Sequence, residues 1–199
     1  MELVTTSICT VLTSHSNLLT LIPPTGYIQI FVNKLKTKNF ISAKASLSVI
    51  LKFSGDSYVN HELNTNKSPC MSDMIATNCL ASNLNFVLEN HFELCELVCD
   101  VLVKIFEYDS NEFVIQAIQC DLIKRLLDIL DSNASQSTKA KIVQMLQCIQ
   151  NNPGLGSQIT EILAKSNVWN EYKNQKHDLF ITQNNTAQYL TGKFVFRWE

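Results

Sequence analysis

Apolar residues recur at spacings of three and four along several separated stretches, the pattern of helices with one face turned to a core. Leu3, Ile8, Val11 and Leu12 mark a first helix. Tyr27, Ile28, Phe31, Val32 and Leu35 mark a second, which opens through Pro23 and Pro24 because proline suits a helix's first turn. Ile41, Ala45, Leu47, Ile50 and Leu51 give a third, stopped near Gly55. From about 57 to 82 the chain turns polar and is broken by Ser68-Pro69. This weak, partly disordered insertion predicts only one or two short helices, around Tyr58 to Leu63 and Met71 to Thr77. Next, FELCELVCDVLVKIFE carries Leu94, Leu97, Val98, Val101, Leu102, Ile105 and Phe106, a face broad enough to be buried on both flanks. Phe113, Val114, Ala117 and Ile118 then form a short helix, and Leu122, Leu126, Leu127 and Leu130 another, with Asp121 placed to cap it. Ser137 and Thr138 open a helix bearing Ile142, Val143, Leu146 and Ile149, Asn152-Pro153 ends it, and Ile159, Ile162 and Leu163 lie in the last strong one.

Helices in series at a steady period indicate a solenoid. Taking Leu12, Leu51, Leu102 and Leu146 as equivalent points gives separations of 39, 51 and 44 residues, the longest containing the polar insertion. These fall near the roughly 40 to 47 residues of armadillo and HEAT units. The expected fold is all-α, an irregular armadillo/HEAT-like helical solenoid over residues 1–167, followed by an irregular C-terminal capping segment and tail over 168–199.

Composition agrees with helices: 46% of residues are apolar, whereas Gly (5) and Pro (4) are scarce, against a loop-rich sandwich or a disordered chain. A net charge of −2 gives no long-range attraction for nucleic acid or an anionic membrane. The densest basic spot, Lys34, Lys36 and Lys38, reads as the solvated end of a helix, complementing its dipole. Seven cysteines scattered through apolar helical text read as buried thiols in a reducing compartment. Glu2 replaces the basic start of a signal peptide, and no apolar run approaches the ~18 residues that span a bilayer, so a soluble intracellular chain is expected. Asn66, Asn133 and Asn184 start glycosylation triplets that matter only in a secreted chain.

Candidate chemistry is sparse. His91, Cys95 and Cys99 are ligand types zinc accepts and share one helix face, but at ~1.5 Å rise per residue they span about 12 Å along it. Two neighbours could share an ion and all three could not; small buried thiols are the simpler account. No nucleophile stands in a context that supplies a base, the four histidines are unrelated, and no glycine-rich phosphate loop occurs. PGLG at 153–156 reads as a turn into a helix, and Glu93 and Glu96 as solvated surface charges. No catalytic residue, cofactor or metal site is expected.

The segment VWNEYKNQKHDLF and its continuation to Gly192 hold Trp169, Tyr172, His177, Asp178, Leu179, Phe180, Ile181, Tyr189 and Leu190 without a sustained helical period. Either Trp169 and Tyr172 cap the open end of the last repeat, or LFI and QYL dock on a partner or on another part of a parent protein. His177 beside Asp178 reads as two polar residues on a surface turn. The string ILAKSNVWNEYKNQKHDLFITQNNTAQYLTG, residues 162–192, resembles the C-terminal end of the large J-domain proteins of receptor-mediated endocytosis, the DnaJ homolog subfamily C member 13 family. A looser likeness runs back through MELVTTSICTVL, LIPPTGYI, FVIQAIQCDLIKRLLDIL and STKAKIVQMLQ over nearly the whole chain. The resemblance implies a scaffold or cochaperone segment, cytoplasmic and peripheral on early endosomes. Its implied role is in receptor-mediated endocytosis, endosome organisation and retrograde sorting. The implied partners are sorting nexins and the WASH complex. The J domain's His-Pro-Asp tripeptide does not occur here, so stimulation of Hsc70 does not carry over. After Gly192 the likeness stops at KFVFRWE, 193–199, which points to a partial product of a longer chain. A free-standing armadillo-type adaptor is the alternative. An absent preceding repeat would leave Ile8 and Leu12 partly wet.

Overall fold

The computed structural model describes residues 24–54, 69–108 and 110–173, with positions 7, 8, 10–12 and 14 of a helix before them. Among the described residues the chain is helical, with no strand. Its helices are α1 (Pro24–Lys34), α2 (Phe40–Ser54), α3 (Pro69–Ile75), α4 (Leu80–Asn90), α5 (Cys95–Glu107), α6 (Asn111–Gln119), α7 (Leu122–Asp131), α8 (Gln136–Gln150), α9 (Gly156–Ala164) and α10 (Asn167–Tyr172). A 3-10 turn, Phe92–Leu94, precedes α5.

The helices stack in two rows. The long α2, α5 and α8 pack side by side, and α1, α4, α7 and α10 form a second row against them. The short α3, α6 and α9 lie between successive members. A continuous core runs through both rows, including Leu47, Ile50, Leu84, Val98, Leu102, Ile105, Phe113, Leu126, Leu146 and Leu163. Phe31 meets Phe53 at 6.5 Å between ring centroids, and Phe106 meets Phe113 edge-on at 5.3 Å.

Helix C-termini leave backbone carbonyls without intrahelical partners, and glycine caps are scarce in this chain. Amide side chains from neighbouring helices supply the missing donors. Asn83 Nδ2 reaches Val32 O in the last turn of α1 (2.8 Å), Gln116 Nε2 reaches Ile75 O at the end of α3 (2.9 Å), and Asn85 Nδ2 reaches Cys120 O after α6 (3.0 Å). Asn83 and Gln116 are themselves buried, so each bond satisfies two groups that water does not reach.

Several expectations are corrected. Helix α4 covers a stretch to which no helix was assigned, its first three residues inside the polar insertion, and α3 ends two residues earlier than Thr77. The expected helix at Tyr58 to Leu63 lies outside the described residues. On α2 the buried stripe is Ser42, Ala43, Ser46, Leu47, Val49, Ile50 and Phe53, while Ile41 is 65% exposed and Leu51 only half-buried. Small Ser42, Ala43 and Ser46 let a neighbouring helix approach closely, which a pattern of large apolar residues misses. Ile8 is half exposed as expected, but Leu12 is buried. Asp121 does not cap α7 through its side chain. It adopts a left-handed φ of 58° in the turn out of α6 and bonds through its backbone, accepting from Arg125 N at 3.0 Å.

Nor do Ser137 and Thr138 open α8; its cap is Ser135, whose Oγ accepts from Thr138 N at 3.1 Å. Replacing Ser135 with alanine orphans that buried donor and is expected to lower stability by about 1 kcal/mol. Urea unfolding followed by circular dichroism checks it, and an unchanged midpoint would contradict the cap.

Candidate functional site

Among the described residues the last helix of the stack is α10. Ser166 Oγ accepts from Trp169 N at 3.2 Å and starts the helix, and the indole of Trp169 is 2% exposed in the core, with α10 packed on α7 and α9. Tyr172, half-buried, receives a hydrogen bond at its hydroxyl from Lys139 Nζ (3.4 Å), and the same ammonium stands 5.6 Å from its ring centroid. Gln147 Nε2 donates to Lys173 O beyond the end of α10 (3.3 Å). The anticipated boundary between 167 and 168 therefore falls inside a helix. Of the residues singled out in the tail, Trp169 and Tyr172 lie among the described residues, both on α10. His177, Asp178, Leu179, Phe180, Tyr189 and Leu190 lie outside the described residues. Lys139 and Gln147 are members of this cluster that the sequence did not suggest.

Along the long-helix row, charges pair between neighbours. Lys141 Nζ on α8 lies 2.5 Å from Asp100 Oδ1 and 3.5 Å from Glu96 Oε1 on α5, and Ser137 Oγ donates to the same Glu96 oxygen at 3.4 Å. Burial alone lowers the pKa of Lys141, but the bond and charge of Asp100, reinforced by Glu96, outweigh it and raise the pKa above the ordinary lysine value. A lysine raised on folding contributes stability that is fully present below its unfolded pKa, about 10.4, and lost as pH rises through the folded value. Alkaline titration of the unfolding midpoint is expected to fall less steeply above that pH in Lys141→Met. Parallel curves for the two proteins would remove Lys141 as the source.

Beside this ladder sit Cys95 and Cys99, one turn apart and buried. A bond from the Cys99 thiol favours the Cys95 thiolate and lowers its pKa against the opposing effects of burial and Glu96. The same bond, with burial, raises Cys99 well above the ordinary thiol value. His91 does not join them as a ligand. Its Nε2 lies 2.8 Å from Thr37 O, so the ring ties the α1–α2 turn to the α4–α5 turn. Among the described residues no group of three or more His, Cys, Asp or Glu side chains converges where a metal would sit.

An open groove of about 440 Å³ lies where α6 and α7 face α9 and the start of α10. Ile118, Ile123, Leu127 and Ile162 supply its apolar wall, and Lys124 and Asp128 are among the charged groups at its rim. Such a mixture suits an extended or amphipathic peptide. The fold is that of an all-helical protein, and no helix among the described residues is long and apolar enough to cross a membrane. No protein-family model, curated protein or solved structure matches the chain.

Proposed function

We propose that this chain is part of an armadillo/HEAT-like solenoid acting as a non-enzymatic protein-binding scaffold in endosomal sorting. The observation that carries the solenoid reading is the spacing of hydrogen bonds between successive helices. Gln116 bonds to Ile75, Asn152 to Asn111 and Ser137 to Glu96, each 41 residues apart, and Cys148 to Phe106, 42 apart. Bonds that recur at an offset of 41 to 42 residues in three different parts of the chain support a stack of similar units, beside other bonds between helices that are offset by 35 to 54 residues. Pairs at both ends of α5 and α8 keep that offset, so the two helices run in the same direction.

Such a stack presents long surfaces with few moving parts, which favours holding partners over transforming substrates. The endosomal assignment rests on the likeness of residues 162–192 to the large J-domain proteins, and its partners are sorting nexins and the WASH complex. Stimulation of Hsc70 is not carried over to this segment, because the His-Pro-Asp tripeptide does not occur in it. Pull-down from cell extract with the full chain, and with a chain stopped after Lys173 that keeps α10, tests the reading. Sorting-nexin or WASH components are expected to be retained by the first and lost by the second. Retention of neither by the full chain would sink the partner assignment while leaving the solenoid architecture untouched.

A further inference from the structure

A net charge of −2 conceals an uneven distribution. Residues 24–54 contain Lys34, Lys36, Lys38, Lys44 and Lys52 and no Asp or Glu. None of these lysines forms an ion pair among the described residues; further along Lys104, Arg125 and Lys141 do, while Lys124, Lys139, Lys165 and Lys173 do not but stand in segments that also carry carboxylates. Lys36 and Lys38 flank Thr37 in the turn between α1 and α2, and both are exposed. That turn is fixed against the turn between α4 and α5 by the 2.8 Å contact of His91 Nε2 with Thr37 O. The Phe40 ring meets His91 at 6.1 Å between centroids. One edge of the stack thus gathers the two turns, and on it Phe40, Ile41 and Phe92 are 39%, 65% and 51% exposed. Lys44 lies exposed one turn along α2 from Phe40. Glu93 is the one carboxylate in the two turns.

Large apolar side chains rimmed by unpaired lysines mark a surface that is not left in water. We propose that this edge docks peripherally on an anionic lipid bilayer, with Ile41 and Phe92 entering the headgroup region and Lys36, Lys38 and Lys44 lying against lipid phosphates. Charge complementarity selects an anionic partner, and shape selects a lipid one. The apolar residues stand at the starts of helices, whereas the described groove suited to a peptide lies elsewhere, between α6–α7 and α9–α10. A fluid interface receives protruding side chains without a pocket, and a phosphate-rich surface needs no fixed register with the lysines. No helix crosses the bilayer in this mode. The contact is independent of the protein-binding reading, since it uses the opposite end of the chain.

Each lysine near an anionic surface raises partition about fivefold, so losing two lowers it about 25-fold. Co-sedimentation of the full chain with phosphatidylcholine vesicles containing about one-third phosphatidylserine tests the proposal. Sedimentation with these vesicles is expected, with loss at high salt and little binding to pure phosphatidylcholine. Lys36→Gln/Lys38→Gln and Ile41→Ser/Phe92→Ser should each reduce binding at least tenfold, about what one to two lost lysines give. The helical signal in circular dichroism should be unchanged, because these side chains are exposed. Equal binding to neutral vesicles, none to either kind, or undiminished binding by both variants would overturn it. Capture on immobilised polyglutamate in place of vesicles, insensitive to Ile41→Ser/Phe92→Ser, would overturn it in favour of an acidic protein.

Discussion

Replacing Trp169 with alanine is expected to destabilise the protein by about 3 to 5 kcal/mol, among the largest losses available to one side chain here. The reason is the mismatch between what α10 is and what it covers. A helix of six residues has no standing in water, since nucleation alone outweighs its few internal bonds. It persists because the indole is buried in the core, with the helix packed on α7 and α9. Alanine removes the transfer gain of the indole and leaves a cavity that α7 and α9 cannot close, being tied to their own neighbours. Tyr172 and its bond from Lys139 then lose the helix that presents them. For a chain of this length the thermal midpoint is expected to fall by roughly 10 °C, read by circular dichroism. The chain has two tryptophans, so Trp169→Phe should remove the blue-shifted emission of a buried indole, leaving Trp198, while costing less stability than alanine. A Trp169→Ala protein melting within about 1 °C of the parent would show that the indole does not hold α10 on the stack.

The helices legible in the sequence were those whose large apolar residues alone marked the buried face. On α5, Val98, Val101, Leu102, Ile105 and Phe106 do so, and all five are buried. Helix α4 carries an equally regular stripe, Leu80, Leu84, Val87 and Leu88, but no helix was assigned to it, and Asn83, Asn85 and Asn90 interrupt its apolar text. Asn83 and Asn85 spend their amides on carbonyls of other helices, so their polarity serves packing between helices and says nothing against a helix. The same blindness affected the caps. Asp121 and Ser137 were reasonable choices by residue type, but the side-chain cap of α8 stands at Ser135, and Asp121 spends its conformation on a left-handed turn.

Of the C-terminal cluster, Trp169 and Tyr172 could be named because aromatic residues near a chain end attract attention whatever their structure. Lys139 and Gln147 could not, because their partners stand 33 and 26 residues away and nothing local encodes such a meeting. The long-range signal read from the sequence was the spacing of 39, 51 and 44 residues between Leu12, Leu51, Leu102 and Leu146, which equated the half-buried Leu51 with three buried residues.

Gly156→Ala is expected to cost more than about 2 kcal/mol, while Gly154→Ala two positions earlier changes stability by less than about 1 kcal/mol. Both glycines lie in the same passage from α8 to α9, and they differ in what a methyl group would meet. At Gly154 it would stand 3.0 Å from Asn111 Nδ2, the end of a side chain that can give by a few tenths of an ångström while keeping its bond to Asn152. At Gly156 it would be driven into the backbone carbonyl oxygen of Gln150, the last residue of α8, with the Gln150 carbonyl carbon 3.3 Å away. That carbonyl cannot retreat without moving the turn that follows it. The turn is held by Asn152, whose Oδ1 accepts from Gly154 N at 2.9 Å and Leu155 N at 3.0 Å and whose Nδ2 donates to Asn111 Oδ1 at 2.8 Å. Gly156 N in turn donates to Asn152 O at 2.9 Å, so the backbone at 156 is fixed from both directions. Strain there must therefore displace α9, and with it α10 and Trp169, instead of relaxing locally. Urea midpoints for the two variants decide the matter: a large drop for Gly156→Ala alone is expected, and equal midpoints would show that α9 can shift on α8 at little expense.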